Sequence, residues 1–287
     1  MTTPVTKAWE KSPRQLERER LRRRGAVRSG TTAAVSTVVV FGLAGWLILS
    51  SPGWPNVKAT FFSWSEFTGA FPDVLSGFWL NVRMFLIAEP IILVVGLAVA
   101  LARGVKSPAF FPVRALAVAY TDVFRGIPTI LLVYLVGFGV PALELSGTPS
   151  SPMALGVIAL VLSYGSYVAE VFRAGIESIH PSQRAAARSL GLSQAQSLRH
   201  VVLPQAVRRV VPPLLNDFAS LQKDTALVSV LGVIEALRQA QIHQAETFNY
   251  TPYLAAALLF VLLTVPMARF TDWLAARAEG RRASGGR

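Results

Sequence analysis

Between Thr31 and Ser50 the chain carries no charged side chain, and apolar runs of similar or greater length recur at Phe78–Ala102, Leu116–Leu143, Ala154–Ile176, Ala206–Ile234 and Pro252–Trp273. About 20 apolar residues in a helix cross the ~30 Å of bilayer hydrocarbon. In lipid the backbone must satisfy its own hydrogen bonds, and a helix does so within one segment. The runs therefore predict an all-α integral membrane protein with about six transmembrane helices. Charged residues make up only 15% of the 287, against about 25% in soluble domains.

The formal net charge of +12 would suit a nucleic-acid partner. Its distribution argues against one, because the basic residues gather at the ends of the apolar runs. Residues 1–30 form a basic tail that includes Lys7, Lys11, Arg14 and Arg22–Arg24, and 276–287 form a second with Arg277, Arg281 and Arg282. The 103–114 link and the 173–209 region are also rich in Lys and Arg, whereas the remaining links carry little beyond Lys58 and Arg238. The positive-inside rule then places both termini in the cytoplasm of a multi-pass protein of the cell membrane. Ser51-Pro-Gly-Trp-Pro55 ends the first run, and 51–77, with Phe61, Phe62, Trp64 and Phe67, is predicted to be an extracytoplasmic link. The first run is not a signal peptide, because its basic flank is too long and no Ala-x-Ala site follows.

One polar stretch, 177–204, interrupts the apolar pattern on what this rule makes the cytoplasmic side. Pro181 opens a helix, Ser182 is a candidate N-cap, and Arg184-Ala185-Ala186-Ala187-Arg188 continue it. Gly191 suits a left-handed C-terminal position. Ser193 and Gln196 have capping-box spacing, so a second short helix is predicted there, and Pro204 interrupts it or begins the next element. The first helix presents a small, smooth alanine surface that another protein can approach closely.

This stretch resembles the EAA loop in the permease subunits of bacterial ABC importers. Ala185-Ala186-Ala187 stand at the Glu-Ala-Ala place, Gly191 at the glycine, Val201 at the aliphatic and Leu203-Pro204 at the end. The departure is Ala185, where the pattern has glutamate. Phe124-Arg-Gly-Ile-Pro128, Tyr167-Val-Ala-Glu-Val-Phe-Arg-Ala-Gly-Ile176 and Leu221-Gln-Lys-Asp-Thr-Ala-Leu227 are similar to the polar amino acid branch of those permeases. The resemblance implies a type I importer permease fold, with a five-span core over 78–275 and Thr31–Ser50 as an additional N-terminal helix. It implies that the Pro181–Leu190 helix is a coupling helix that docks on a separate ABC ATPase dimer, where ATP and Mg bind. It also implies a second permease subunit, identical or related, an extracytoplasmic substrate-binding protein, and a polar amino acid as substrate.

Several polar residues fall inside the apolar runs. Glu89, before Pro90, is either a hydrogen-bonded carboxyl at a proline kink or part of a translocation pathway. Glu170 and Arg173 share a helical face and can pair. Asn216, Asp217, Lys223, Asp224 and Thr225 make the fifth run too polar to face lipid. They line a pathway, or Lys223 pairs internally with Asp217 or Asp224. No Gly-x-x-x-x-Gly-Lys-Ser/Thr phosphate loop, cysteine or metal-ligand spacing occurs, and the histidines at 180, 200 and 243 stand apart. The chain is thus expected to bind no cofactor or metal and to catalyse no reaction of its own. The rival reading is a self-sufficient secondary transporter or channel for a small polar solute, which leaves the ordered 177–204 stretch without a purpose.

Overall fold

The structure is a computed structural model that describes residues 12–105 and 107–284. Expectations resting on residues 1–11, Lys106 or 285–287, or on the side chains of Arg184, Arg281 and Arg282, lie outside what it describes. The described residues contain helices and their links and no strand. They fall into two compact units, one up to Ala59 and one from Thr60 onward.

The first unit is built on α1, Pro13–Leu49, which a capping box between Ser12 and Gln15 opens and Pro13 pre-forms. Its apolar part, Ser29–Leu49, buries none of its side chains. The short helix α2, Trp54–Phe61, follows and passes into the second unit.

The second unit begins its long helices with α3, Trp64–Gly104, capped by the Ser63 hydroxyl. The helix starts well before Phe78, so the predicted 51–77 link is largely helical. Pro72 does not stop it, because Ala70 and Val74 bury themselves against Ala236, Ala240, Ala255 and Ala256. The third run divides into α4, Phe111–Gly126, and α5, Thr129–Tyr134, followed by a π turn, Leu135–Gly139, and α6, Val140–Ala142. The two halves bend by 107° at 127–128. Ile127, which precedes Pro128, is forced into extended backbone with ψ 128°. The chain makes a corner here rather than the shallow kink of a proline inside a continuous helix.

Next come α7, Pro152–Glu177; α8, Pro181–Ser189; α9, Gln194–Ser197; a π turn, Leu198–Val202; and α10, Leu203–Asp224. A 3-10 turn, Thr225–Leu231, leads to α11, Ala236–Thr247, and α12, Thr251–Ser284. Pro212 and Pro213 lie within α10 rather than at its start. The polar stretch after Gln239 is mostly the helix α11.

Four stretches are long and apolar enough to cross a membrane: Ser29–Leu49, Trp54–Gly104, Pro152–Glu177 and Thr251–Leu274. The bent α4–α5 pair makes a fifth. The run Ala206–Ile234, counted as a span from sequence, is not among them, because α10 carries a strongly polar face and ends at Asp224.

The core sits where α3, α7 and α10 meet, around Met84, Ile92, Leu160, Val168, Leu214 and Leu221. Helices approach most closely where one offers no side chain. A Cβ on Gly96 of α3 would lie 2.5 Å from Val168 Cγ1 of α7, and one on Gly175 of α7 would lie 2.1 Å from Val210 Cγ1 of α10. Small residues at such crossings are how membrane helices gain contact area. Gly96→Leu is therefore expected to overpack the α3–α7 crossing and lower stability by ~1–3 kcal/mol. Gly69→Ala, with open space around the new methyl, should leave the thermal unfolding temperature in detergent unchanged or raised.

Candidate functional site

Four polar assemblies stand out along the α3–α7–α10 bundle. The first is the 177–204 stretch itself. Helix α8 is capped at its start by His180, whose ring Nδ1 accepts the Ser182 N–H at 3.2 Å. Ser182, the N-cap expected from sequence, lies inside the helix instead. The C-terminus closes as a Schellman motif: Leu192 N–H donates to the Ala187 carbonyl at 3.2 Å and Gly191 N–H to the Arg188 carbonyl at 3.0 Å. Gly191 has φ +83°, the left-handed conformation that this motif needs. Ser193 and Gln196 then form their reciprocal box, at 2.9 and 3.3 Å. Val201 ends in the π turn, and Leu203-Pro204 begin α10.

One side of this stretch is packed and the other is open. Ile179, Ala187, Val202 and Ala206 are buried, and the first, third and fourth form one cluster. Arg209 donates to the Ser178 carbonyl, tying the start of α10 to the end of α7. Pro181, Ala185, Ala186, Arg188 and Leu190 face outward, Leu190 at 83% exposure. Leu190 was not singled out from sequence. Its place beside the left-handed glycine, where a leucine has no packing partner, was the available signal.

The second assembly sits near the same end of α7. Glu170 accepts from Arg173 and, at 3.0 Å, from Arg103 of α3, with Arg125 of α4 at 3.9 Å. Arg173 also reaches Glu177, and Arg103 donates to Thr121 at 2.9 Å. A predicted pair is thus the centre of a cluster that joins α3, α4 and α7. Sequence spacing finds pairs within one helix and does not bring in Arg103, Arg125 or Thr121 from two others.

The third assembly lies at the opposite end of the bundle. Asn81 Nδ2 of α3 donates to Glu235 Oε2 at 2.9 Å and to Thr225 Oγ1 at 3.1 Å, while its Oδ1 accepts the Ala236 N–H at 3.1 Å. Glu235 also accepts from Leu237 N at 3.0 Å and Arg238 N at 2.8 Å, which caps α11. The side-chain polar groups of Asn81, Thr225 and Glu235 are fully buried and all have protein partners. Of its members only Thr225 was a sequence candidate.

The fourth is in the middle. Asp217 of α10 lies within electrostatic range of Glu89 of α3, and one turn away Phe85 and Phe218 meet edge to face at 6.3 Å. Tyr164 of α7 donates to Asp224 Oδ2 at 2.9 Å. Asn216 is exposed and does not join this group. Lys223 makes no ion pair with Asp217 or Asp224 among the described residues. It lines a separate groove of about 230 Å³ with Ala226, Leu237, Tyr253 and Phe260. Its charge nevertheless acts on Asp224, its neighbour in sequence.

Comparison with known proteins places this arrangement. Residues 92–280 match the family described as the binding-protein-dependent transport system inner membrane component. The chain belongs to that family. It is 32% identical over 212 residues to the "Probable glutamine ABC transporter permease protein GlnM" of Bacillus subtilis (strain 168), covering 73% of this chain and 94% of that protein. It is 33% identical over 195 residues to the "Arginine transport system permease protein ArtQ" of the same organism, covering 68% and 87%. The solved structure described as an "amino acid ABC transporter with histidines" contains a chain that superposes with a TM-score of 0.68 at 31% identity, covering 75% of this chain and 98% of that one.

The protein is accordingly a multi-pass inner-membrane permease subunit of an ABC importer with the type I permease fold. Members of this family work with a separate ATPase and a binding protein, and the subunit itself is not the catalyst. That leaves the self-sufficient secondary transporter without support.

The knot at Asn81 generates a stability prediction. Asn81→Leu removes a donor from Glu235 and Thr225 and an acceptor from the Ala236 N–H inside a dry environment. It should lower stability by about 3 kcal/mol, read as a fall in the thermal unfolding temperature of the purified protein. An unchanged temperature would show that the knot contributes little.

Proposed function

We propose that this permease subunit moves a polar amino acid across the membrane and that α8 is its coupling helix. The observation that carries this reading is the exposed face of Ala185, Ala186, Arg188 and Leu190 on a short helix closed at both ends. A rigid helix fixed by His180 and Gly191 delivers a displacement to what it is attached to, where a floppy loop would absorb it. Ala185 at the motif's glutamate place leaves van der Waals contact through Ala186 and Leu190, with Arg188 as a polar edge of the surface. A groove on each member of an ATPase dimer, closing as ATP and Mg bind, would carry the helix with it.

The Lys/Arg distribution supports a cytoplasmic location for α8 and for both termini. It also supports six crossings, with α10 and its 3-10 extension as the fifth, shielded from lipid by other helices. In this reading 31–50 is an added N-terminal span, 78–275 holds the five-span core, and a second permease subunit completes the pathway. Its relatives are named for glutamine and arginine, which supports a polar amino acid as the cargo, delivered by an extracytoplasmic binding protein.

The test is a mild-detergent pull-down of the tagged chain with its ATPase, alongside ATP-driven uptake. Ala186→Glu adds a charge and bulk to the docking face and should cut ATPase recovery at least tenfold while membrane insertion stays at wild-type level. Gly191→Val meets no neighbour within 4 Å of its Cβ, yet φ +83° costs an L-residue ~1–2 kcal/mol. It should loosen the C-terminus of α8 and uncouple ATP hydrolysis from uptake. Wild-type recovery and uptake in both variants would remove α8 from the mechanism.

A further inference from the structure

Helix α1 passes from an uncharged run into a run dominated by arginine without a break. Ser29–Leu49 is long and apolar enough to cross a membrane and buries none of its side chains, so nothing in its own unit shields it from lipid. Toward its start the same helix continues to Pro13, through Gly30 and Gly25. Those turns carry Arg14, Arg18, Arg20, Arg22, Arg23, Arg24 and Arg28 against Glu17 and Glu19. From residue 20 to residue 28 there are five arginines and no acid. None of this falls in the stretch that the family model matches, 92–280.

The unbroken helix sets the heights of these positions. At ~1.5 Å per residue, positions 28 to 20 of an upright helix stand about 1.5 to 13.5 Å beyond Ser29. The headgroup layer is ~5–8 Å thick on each side, the excess of a ~40–45 Å bilayer over its ~30 Å of hydrocarbon. Fixed charges in that layer are felt for a further ~8–10 Å at physiological salt. All five arginine positions fall within the combined depth, and any tilt brings them closer. Helical register also distributes them. At about 100° per residue, positions 20, 22, 23, 24 and 28 go round the axis and leave no gap wider than about 120°. A helix lying flat on a membrane gathers its basic residues on one face, and a groove on a protein engages one face. A collar that is basic all round fits a medium that surrounds the helix.

We propose that residues 20–28 of α1 form a collar that binds the phosphate headgroups of anionic phospholipids and gathers those lipids around this span. Guanidinium groups bond phosphate oxygens through charge-assisted, often bidentate hydrogen bonds. Clusters of about four to eight basic residues beside a span attract acidic leaflets. Phosphatidylcholine carries a cation next to its phosphate and gains less from the collar than phosphatidylglycerol, which has none. The arrangement needs only that Ser29–Leu49 crosses the membrane, so it stands apart from the coupling and cargo readings above.

The chain has no cysteine, so Ser29→Cys gives a single attachment point for a fluorophore at the foot of the collar. The experiment reconstitutes that labelled chain with its partner subunits in phosphatidylcholine vesicles and measures quenching by nitroxide-labelled phosphatidylglycerol or nitroxide-labelled phosphatidylcholine. The expected result is at least threefold more effective quenching by phosphatidylglycerol. Raising the salt from ~0.1 M to ~1 M, which shortens the screening length from ~10 Å to ~3 Å, should cut that preference at least twofold. Replacing Arg20, Arg22, Arg23, Arg24 and Arg28 together by glutamine should make the two lipids quench alike, whereas replacing all five by lysine keeps most of the preference. Equal quenching in the parent protein, or a preference that survives the glutamine substitutions, would overturn the proposal. So would relief of the phosphatidylglycerol quenching by an RNA oligonucleotide at equal phosphate concentration, which would make nucleic acid the favoured partner. Where the glutamine variant fails to insert, the parent protein's lipid preference and its salt series decide the question.

Discussion

Between membrane helices the hydrophobic effect supplies no adhesion, because lipid tails are as apolar as leucine. The bundle is therefore held by close contact and by polar groups that lipid cannot serve. Gly96 lets Val168 reach the α3 backbone, and Gly175 does the same for Val210 of α10. These two crossings fix α7 between α3 and α10, and every polar assembly described above lies along one of those three helices. Where the contacts are tightest the helices are effectively one body, so the polar groups between them keep a defined geometry.

The same constraint explains why the polar groups sort by depth. At one end Glu235 is enclosed with three donors; at the other Glu170 is shared among arginines on three helices. Both arrangements brace the bundle. An unsatisfied polar atom in a dry interior costs ~1–3 kcal/mol, which makes the bare oxygens on Glu89 and Asp217 the exception that structural bracing does not account for. A third orphan, Gln222 Nε2, belongs to a side chain whose Oε1 accepts from Thr264 of α12 at 3.3 Å, on a different side of α10 from Asp217.

What the sequence made legible was local. Uncharged runs identified long helices, and Pro181, Gly191, Ser193 and Gln196 described the shape of the 177–204 stretch, because capping chemistry acts within a few residues. What it hid was contact between distant segments. Arg103 read as the end of a span and Thr121 as nothing in particular; both are bound to Glu170 or its arginines only because α3 and α4 lie beside α7. Asn81 and Glu235 are 154 positions apart, and no periodicity links them. Pro72 and Pro212-Pro213 each carry a local signal for a helix boundary, yet α3 and α10 run through them. Pro128 does the opposite and divides one apolar run at a corner of 107°.

The attachment of the 177–204 stretch gives the proposed coupling a physical route. Ile179, at the end of α7, packs on Val202 and Ala206 at the start of α10, and Arg209 of α10 holds the Ser178 carbonyl. A push on α8 therefore acts on α7 and α10 together rather than on a free loop. Tyr164 lies 15 residues before Ile179, a lever of about 22 Å at 1.5 Å per residue. Along α10, Asp217 lies at a comparable distance from Val202, 15 residues on. The push reaches α3 as well, which Gly96 joins to Val168 of α7 and Asn81 joins to Thr225 at the end of α10, so α8 acts on the three-helix core as one body.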